Sequence, residues 1–351
     1  MIAFALVVQH LRPGGIETLA LDLLESGDGR LVALEGSRDG ALDAWPRLRG
    51  VADRLEFLDK PGGMSPATLL RLRTLLRRWR PAAVHTHHVG PLLYGGIAAR
   101  LAGVRRIVHT EHDAWHLASP ARRRLVAALL ATVRPRLVAV SSAVAEGVRR
   151  TVPGARPTIV RNGISLDRFV PGERNAARRC LGLPGEVPIV GTAARLEPVK
   201  GIGRLIDAAT GLPGVTIAIA GDGSLRAELE ERARSLGIAD RVRFLGPVGD
   251  MPAFYRAVDV FCLPSLAEGL PIAPLEAQAC GRPVVATDVG GTRESLCPST
   301  GRLVPSDDQA RLTAALRDAL AAGPAHAGRD FVTRVADLRQ TVGAYRRLYT
   351  A

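Results

Sequence analysis

Two glutamates eight positions apart, Glu268 and Glu276, stand in the run Pro264-Ser-Leu-Ala-Glu268-Gly-Leu-Pro-Ile-Ala-Pro-Leu-Glu276. A helix starting near Ile272 to Pro274 leaves Glu268 in the loop before it and sets Glu276 in its first turns. The amides of Ile272 and Ala273 then point at any anion lying off the helix end. So placed, one carboxylate reaches a sugar hydroxyl and the other a ribose; the plainer alternative is a capping carboxylate followed by an ordinary helical glutamate. A second constellation is Gly191-Thr-Ala-Ala-Arg195-Leu-Glu-Pro-Val-Lys200-Gly201. Its two cations, five residues apart between a β-run and a helical segment, suit a diphosphate: arginine binds as a fork and lysine as a compact point charge. Only Lys60 and Lys200 among the 47 basic residues are lysines, so a lysine kept in this loop is informative.

Six of the eight histidines, His85, His87, His88, His109, His112 and His116, fall in two clusters, each at the end of a β-run. His112, inside Val108-His-Thr-Glu-His-Asp113, is the candidate for touching a substrate, while His85 and His87 read as strand-end scaffolding. His-x-His spacing can chelate zinc, but no further ligand set with closed-site spacing follows. Near the start, His10-Leu-Arg-Pro-Gly14-Gly15-Ile-Glu17 puts a glycine pair where a strand gives way to a helix. Such glycines let backbone amides approach a phosphate or sugar, or simply make a turn. The run is not a three-glycine dinucleotide fingerprint. Glu35, after the second β-run, therefore says little for a dehydrogenase.

Holding these residues in place requires parallel sheets. Short β-type runs alternate with helix-period segments almost throughout, which predicts an α/β protein with helices on both sheet faces. The predicted strands of the first half are 2–8, 30–34, 83–86, 106–110, 136–140 and 158–160. Those of the second are 189–193, 216–220, 242–245, 260–263, 283–287 and 301–304. Helical segments are expected around 202–209, 224–235, 251–258, 273–279 and 309–322, and Leu69, Leu72, Leu76 and Trp79 mark one more by their spacing. The stretch Asn162 to Pro188, rich in Gly, Pro and charge, carries the expected domain boundary. The domains are accordingly set at 1–165 and 166–330, with a helix at about 331–351. Ligands of tandem α/β halves bind beyond the carboxyl ends of the strands, in the strand-to-helix loops of a cleft.

Composition agrees with two folded domains. A chain of 351 residues exceeds the usual size of one core, and 47% hydrophobic with 23% charged residues excludes wholesale disorder. Cys180, Cys262, Cys280 and Cys297 form no CxxC pair, which speaks against a zinc site or a disulfide framework and fits a reducing compartment. The opening Met1 to Val8 reads as a buried strand, not a leader, and the apolar run Leu125 to Val133 is too short to cross a bilayer. The formal charge of +13 is carried by 45 arginines and has the look of an arginine bias. Arg122, Arg123, Arg124, Arg134 and Arg136 surround the apolar run in 121–136, which fits either a membrane-surface contact or a core helix with basic ends.

Arg195 with Lys200, the Gly221-Asp-Gly223 turn, Phe244-Leu-Gly-Pro-Val248 and above all the Glu268/Glu276 pair resemble the retaining glycosyltransferases of the GT-B fold, family 4. Asn162-Gly-Ile-Ser-Leu-Asp-Arg-Phe169 is similar to that family's interdomain segment, and the resemblance extends over nearly the whole chain. Ala194 departs from the pattern, standing where the family often has glycine before the arginine. The resemblance implies two Rossmann-like domains facing across a cleft, with the last helix packing back on the first domain. It implies that Arg195 and Lys200 hold the diphosphate of a nucleotide-sugar, that Glu276 binds the ribose, and that Val248 lines the base pocket. It gives Glu268, with the amides of Ile272 and Ala273, to the donor sugar. Gly15 would lie against the diphosphate, and His112 would contact the sugar near the reacting carbon.

Transfer with retention, completed by domain closure, follows from the same resemblance. No cofactor and no metal are expected, since no Asp-x-Asp is present and the two cations supply the charge a magnesium ion would otherwise provide. The expected partners are a nucleotide-sugar donor, UDP-linked by default, and a glycan or polyprenyl- or lipid-linked acceptor of cell-envelope, capsule or exopolysaccharide assembly. The expected place is the cytoplasm, either free or at the inner face of the cytoplasmic membrane. A nucleotide-sugar epimerase is the alternative enzyme, disfavoured by the glutamate spacing. A nucleic-acid-binding protein has only the charge in its favour, without interleaved aromatics or a reader motif.

Overall fold

The computed structural model describes residues 2–324 and 326–350. They form two compact units. The first runs to Asn162 and takes back the chain from Leu338; the second is Gly163–Asp337. The first unit holds seven strands: β1 (Phe4–Val8), β2 (Gly29–Ala33), β3 (Leu55–Phe57), β4 (Ala83–His87), β5 (Arg106–Glu111), β6 (Arg136–Ala139) and β7 (Thr158–Ile159). All pair in parallel, in the order β3-β2-β1-β4-β5-β6-β7. The second unit has β8 (Ile189–Ala193), β9 (Thr216–Ala220), β10 (Val242–Gly246), β11 (Val260–Leu263), β12 (Val284–Thr287) and β13 (Arg302–Val304). These too are parallel, in the order β10-β9-β8-β11-β12-β13.

The unbroken apolar runs follow from burial on both faces. Phe4, Leu6 and Val8 of β1 enter one core with the helix Gly15–Glu25, and the alternate Ala5 and Val7 enter another with the helix Pro66–Trp79. In the second unit Ala218 and Ala220 of β9 face one core and Ile217 and Ile219 the other. Each order reverses at the strand that comes first in the chain, β1 or β8. Such a reversal opens the loops at the carboxyl edge for ligands in doubly wound sheets.

Three elements differ from the sequence reading. Strand β3 has only three residues at a sheet edge, too short for a periodic signal. The stretch taken as a featureless boundary contains the helix Arg174–Cys180, whose most buried member is Arg178. The expected terminal helix at about 331–351 is divided. The helix His326–Val335 belongs to the second unit, with Val332 in its core and Gly328 against Gln278. The helix Leu338–Thr350 joins the first unit through Val342, Tyr345 and Tyr349. The two apolar sets face different cores, so the chain changes unit between them.

Arg178 shows how the helix Arg174–Cys180 is held. Its side chain is fully buried, donating to the carbonyls of Ala257 (2.8 Å), Gly185 (2.6 Å) and Val187 (3.0 Å) and to Asp259 Oδ2 (2.7 Å). Asp259 in turn accepts from the amide of Ile189 at the start of β8 (2.8 Å) and from Arg174 (3.0 Å). A guanidinium fork thus staples the incoming segment to the amino ends of β8 and β11. Removing one partner of such a buried pair costs about 3 kcal/mol. Arg178→Met is therefore expected to lower the urea-unfolding stability of the full chain by about that much, whereas a variant as stable as the parent would mean that water replaces the staple.

Candidate functional site

The carboxyl edge of the second sheet is assembled backbone against backbone. After β8 the chain passes Arg195, makes a short 3-10 turn at Pro198–Lys200 and enters the helix Ile202–Thr210 through Gly201, at φ +60°. A Cβ at Gly201 would stand 2.3 Å from the Pro264 carbonyl oxygen, so the loop after β8 touches the loop after β11. The Leu266 amide also donates to the Val199 carbonyl (2.8 Å). A third loop, after β12, closes on the other side. Gly290, at φ +53°, lies so near that a Cβ would fall 1.8 Å from the Glu268 carbonyl oxygen, and only glycine fits.

This stacking brings together Lys200 and Glu268, 68 residues apart. Lys200 Nζ donates to Glu268 Oε1 at 2.6 Å, and Ser265 Oγ donates to the same oxygen at 2.7 Å. Glu268 is buried, while Lys200 keeps a fifth of its side chain exposed. An ammonium has three donors, so the lysine can hold this carboxylate and still meet an anion. Both contacts fall on Oε1, which leaves Oε2 of Glu268 as the oxygen open to a hydroxyl donor. Arg195 is exposed and has no ion-pair partner among the described residues, which leaves its guanidinium open to a ligand.

Glu276 sits in the helix Ala273–Ala279, preceded by Ile272 as its cap, where the sequence placed the helix start. It is buried, and its Oε2 accepts a 2.6 Å hydrogen bond from Tyr255 Oη. Burial, with the Glu276 charge beside it, drives the Tyr255 phenol well above its usual range, so it stays protonated and remains the donor. Ile272 and Ala273 are half-buried against the same core, as is Val248 beyond β10.

Gly15 and His112 belong to the first unit and follow β1 and β5. Gly14 caps the helix that Gly15 begins, and the carboxylate of Glu17 occupies the space beside it, 2.4 Å from where a Gly14 Cβ would be. Glu17 also lies 3.4 Å from His10 Nδ1. The helix end the sequence assigns to an anion thus carries an acid of its own.

The histidine clusters form a connected network. His112 Nε2 and His87 Nδ1 are 2.9 Å apart and share one proton; His85 bridges Tyr349 Oη and Thr110 Oγ1, both at 2.8 Å. Thr110 also meets Tyr345 Oη (3.0 Å), which fastens the helix Leu338–Thr350 to β4 and β5. His109 Nε2 donates to Glu111 Oε1 (3.1 Å), and His116 Nδ1 pairs with Asp113 (2.8 Å). Burial and the neighbouring imidazoles hold His85 and His112 far below the usual histidine range and push His87 down to about 3. Burial lowers His88 against the pull of Asp113 and Glu111. For His116 burial acts downward, but Asp113 and Glu111 outweigh it and raise the value. For Glu111 burial acts upward, and His109 and His116 bring it below its ordinary value. Among the described residues no group of three or more His, Cys, Asp or Glu is arranged to hold a metal ion.

Sequence reasoning named the principal carboxylates, cations and His112 but not Ser265, Tyr255, Gly290 or the partnership of His87 with His112. A serine three residues before Glu268 was visible. The other contacts join different elements and leave no local pattern.

Two family models match the chain: Glycosyltransferase Family 4 over residues 13–168 and Glycosyl transferases group 1 over 173–329. The 2-deoxystreptamine N-acetyl-D-glucosaminyltransferase of Streptomyces fradiae is 34% identical over 307 residues, 80% of this chain and 72% of that protein. The D-inositol 3-phosphate glycosyltransferase of Mycolicibacterium smegmatis is 42% identical over 162 residues, which cover 44% of this chain and 37% of that protein. Among solved structures, Anabaena HepE in complex with UDP and glucose has a TM-score of 0.84 at 22% identity, covering 99% of each chain. WaaG, a glycosyltransferase involved in lipopolysaccharide biosynthesis, has 0.74 at 18%, covering 99% of this chain and all of that one. The likeness to these structures shows the fold.

Three rings, His85, His87 and His112, stay neutral in the folded protein below the ordinary histidine value of 6.5. Once the pH drops under that value the unfolded chain takes up protons that these rings refuse, so stability falls as pH falls from 6.5 toward about 3. The slope approaches about 1.4 kcal/mol per pH unit for each ring. His116, raised, works in the opposite sense, and Glu111, lowered, adds its own loss from its ordinary value of 4.5 downward. Urea unfolding at a series of pH values is expected to show this loss, and His87→Asn to make it shallower by about one proton; an unchanged slope in the variant would remove His87 from the network.

Proposed function

The chain belongs to glycosyltransferase family 4, the glycosyl transferases of group 1, and from that premise we propose that it is a retaining, metal-independent enzyme moving a sugar from a nucleotide-sugar, UDP-linked by default, to a glycan or lipid-linked acceptor. The observation that supports this most is the Lys200–Glu268 pair on a glycine-locked carboxyl edge, with Glu276 eight residues on. A lysine and a carboxylate side by side suit a sugar diphosphate, which offers both an anion and hydroxyl groups.

In this proposal Arg195 and Lys200 bind the diphosphate and stabilise the charge it gains as the glycosidic bond breaks. Glu268, with one oxygen committed to Lys200 and Ser265, receives sugar hydroxyls on the other, and the Ile272 and Ala273 amides assist it. Glu276 takes the ribose and Val248 the base. Gly15 contributes backbone to the diphosphate, and His112 a hydrogen bond to the donor sugar. His112, kept neutral, serves as a hydrogen-bonding group and not as a charged one. The acceptor attacks from the face the leaving group departs, and the leaving phosphate oxygen takes the acceptor's proton, so no protein base is needed and configuration is retained.

A role in cell-envelope or exopolysaccharide assembly, at the inner face of the cytoplasmic membrane, is consistent with the helix Pro120–Val133. It leaves Leu125 exposed beside Arg122 and Arg124 while burying Val126, Leu129 and Val133. Among the described residues no helix is long and apolar enough to cross a membrane.

A panel of nucleotide-sugars with candidate acceptors, assayed for nucleoside diphosphate release in EDTA, tests the proposal. Turnover is expected to persist in EDTA. Lys200→Ala is expected to lower kcat/KM by about a hundredfold to a thousandfold, the usual effect of losing one charge-stabilising donor. Full activity in Lys200→Ala and Glu276→Ala would sink the assignment. Gly290→Ala, which touches neither substrate, is expected to cost about a hundredfold because it displaces Glu268.

A further inference from the structure

We propose that Tyr255 is a positioning residue, its hydroxyl fixing the Glu276 carboxylate so that this group tells a ribonucleotide from a deoxyribonucleotide. The proposal rests on the reading of Glu276 as the ribose acceptor. Its own observation is the 2.6 Å bond from Tyr255 Oη to Glu276 Oε2, between two buried side chains on different helices.

Neither helix has freedom to follow a wandering carboxylate. Tyr255 lies in the helix Met251–Ala257, whose end is capped by Asp250 accepting from the Ala253 amide (3.1 Å). Its ring is wedged edge-on among Phe169 (6.0 Å), Phe254 (5.7 Å) and Phe261 (5.4 Å), measured between ring centres. On the facing helix Gln278 donates to the carbonyls of Pro274 (2.8 Å) and Ser295 (2.7 Å) and accepts from the Cys297 amide (2.7 Å). Between these two fixed walls the tyrosine hydroxyl is a lone polar atom in an aromatic cluster otherwise made of phenylalanine. Phenylalanine would fill the same space, so packing does not explain the hydroxyl; a buried carboxylate that needs a donor does.

A glutamate has three side-chain torsions to fix before it can accept two hydroxyl hydrogens at once, as a ribose 2′,3′-diol requires. Holding one oxygen at a set point removes most of that freedom before the ligand arrives, while the carboxylate keeps lone pairs for the diol. Without the hydroxyl the carboxylate remains but loses its aim.

The test measures dissociation constants of the full chain for UDP, GDP and ADP, then for the 2′-deoxy form of the tightest binder. The parent is expected to prefer the ribonucleotide by about tenfold or more, the worth of a hydrogen bond to a charged group. Tyr255→Phe should bind the deoxy form within about twofold of the parent yet lose most of the preference. Equal weakening of both nucleotides means a merely structural tyrosine and overturns the proposal. Glu276→Ala separates the two levels. If that variant keeps the preference, the ribose reading fails and the proposal with it; if it loses the preference while Tyr255→Phe keeps it, only the positioning role fails. The double variant Tyr255→Phe/Glu276→Ala lacks the carboxylate altogether, so it tests the proposal even where the single variant folds poorly. Its affinities should match those of Glu276→Ala, and a further loss in the ribonucleotide alone counts against Tyr255 acting through Glu276.

Discussion

The second unit depends on how closely three loops can approach one another at the carboxyl edge of its sheet. The loops after β8, β11 and β12 meet through Gly201 against Pro264 and Gly290 against Glu268, at distances no side chain would allow. Backbone contact at this range fixes the loops against one another. It also sets the depth at which Glu268 lies, and so the reach of Lys200 toward it. An ion pair between a mostly buried lysine and a buried carboxylate is of modest value to stability, because both groups surrender hydration to form it. Its use is better understood as geometry: it parks a cation and an acceptor side by side, with donors on the lysine and one carboxylate oxygen to spare.

The two units treat charge differently. The second gathers ionised groups, with Lys200 against Glu268 and Arg195 held out in solvent. In the first, His85, His87 and His112 are stripped of charge by burial and by one another; His85 bonds a threonine and a tyrosine, and His87 Nδ1 meets His112 Nε2. In the same network His116 sits between Asp113 and Glu111, and these carboxylates raise its value. A neutral ring presents hydrogen bonds without adding cationic field, which suits contact with uncharged hydroxyls. Cations serve where negative charge accumulates.

Much of this was legible from residue order. Buried strands write continuous apolar runs, and twelve of the thirteen strands among the described residues, the exposed β7 included, can be marked from residue order, as can Arg195, Lys200, Glu268 and Glu276 in the segments that follow them. What escaped did so for identifiable reasons. Strand β3 is three residues at an edge, where pairing needs little apolar surface. The helix Arg174–Cys180 buries an arginine, and no pattern of apolar residues announces a buried guanidinium. The terminal segment reads as one long helix, whereas Val332 and Tyr345 were made for two different cores.

Contacts across elements are the hardest to foresee, and the site consists of them. Tyr255 stands 21 residues before Glu276 and His87 stands 25 before His112, separations that parallel strands with intervening helices produce. In each pair one partner follows a strand or opens a helix at the carboxyl edge, and the other reaches it from a neighbouring element. The topology explains the recurrence: adjacent parallel strands are joined by a crossover of roughly two dozen residues, so equivalent points at one edge come together at about that spacing. A polar residue about that far from a suspected site residue is therefore a legible sign of a supporting group, and Tyr255 in its helix and His87 at the end of β4 both stand at that spacing.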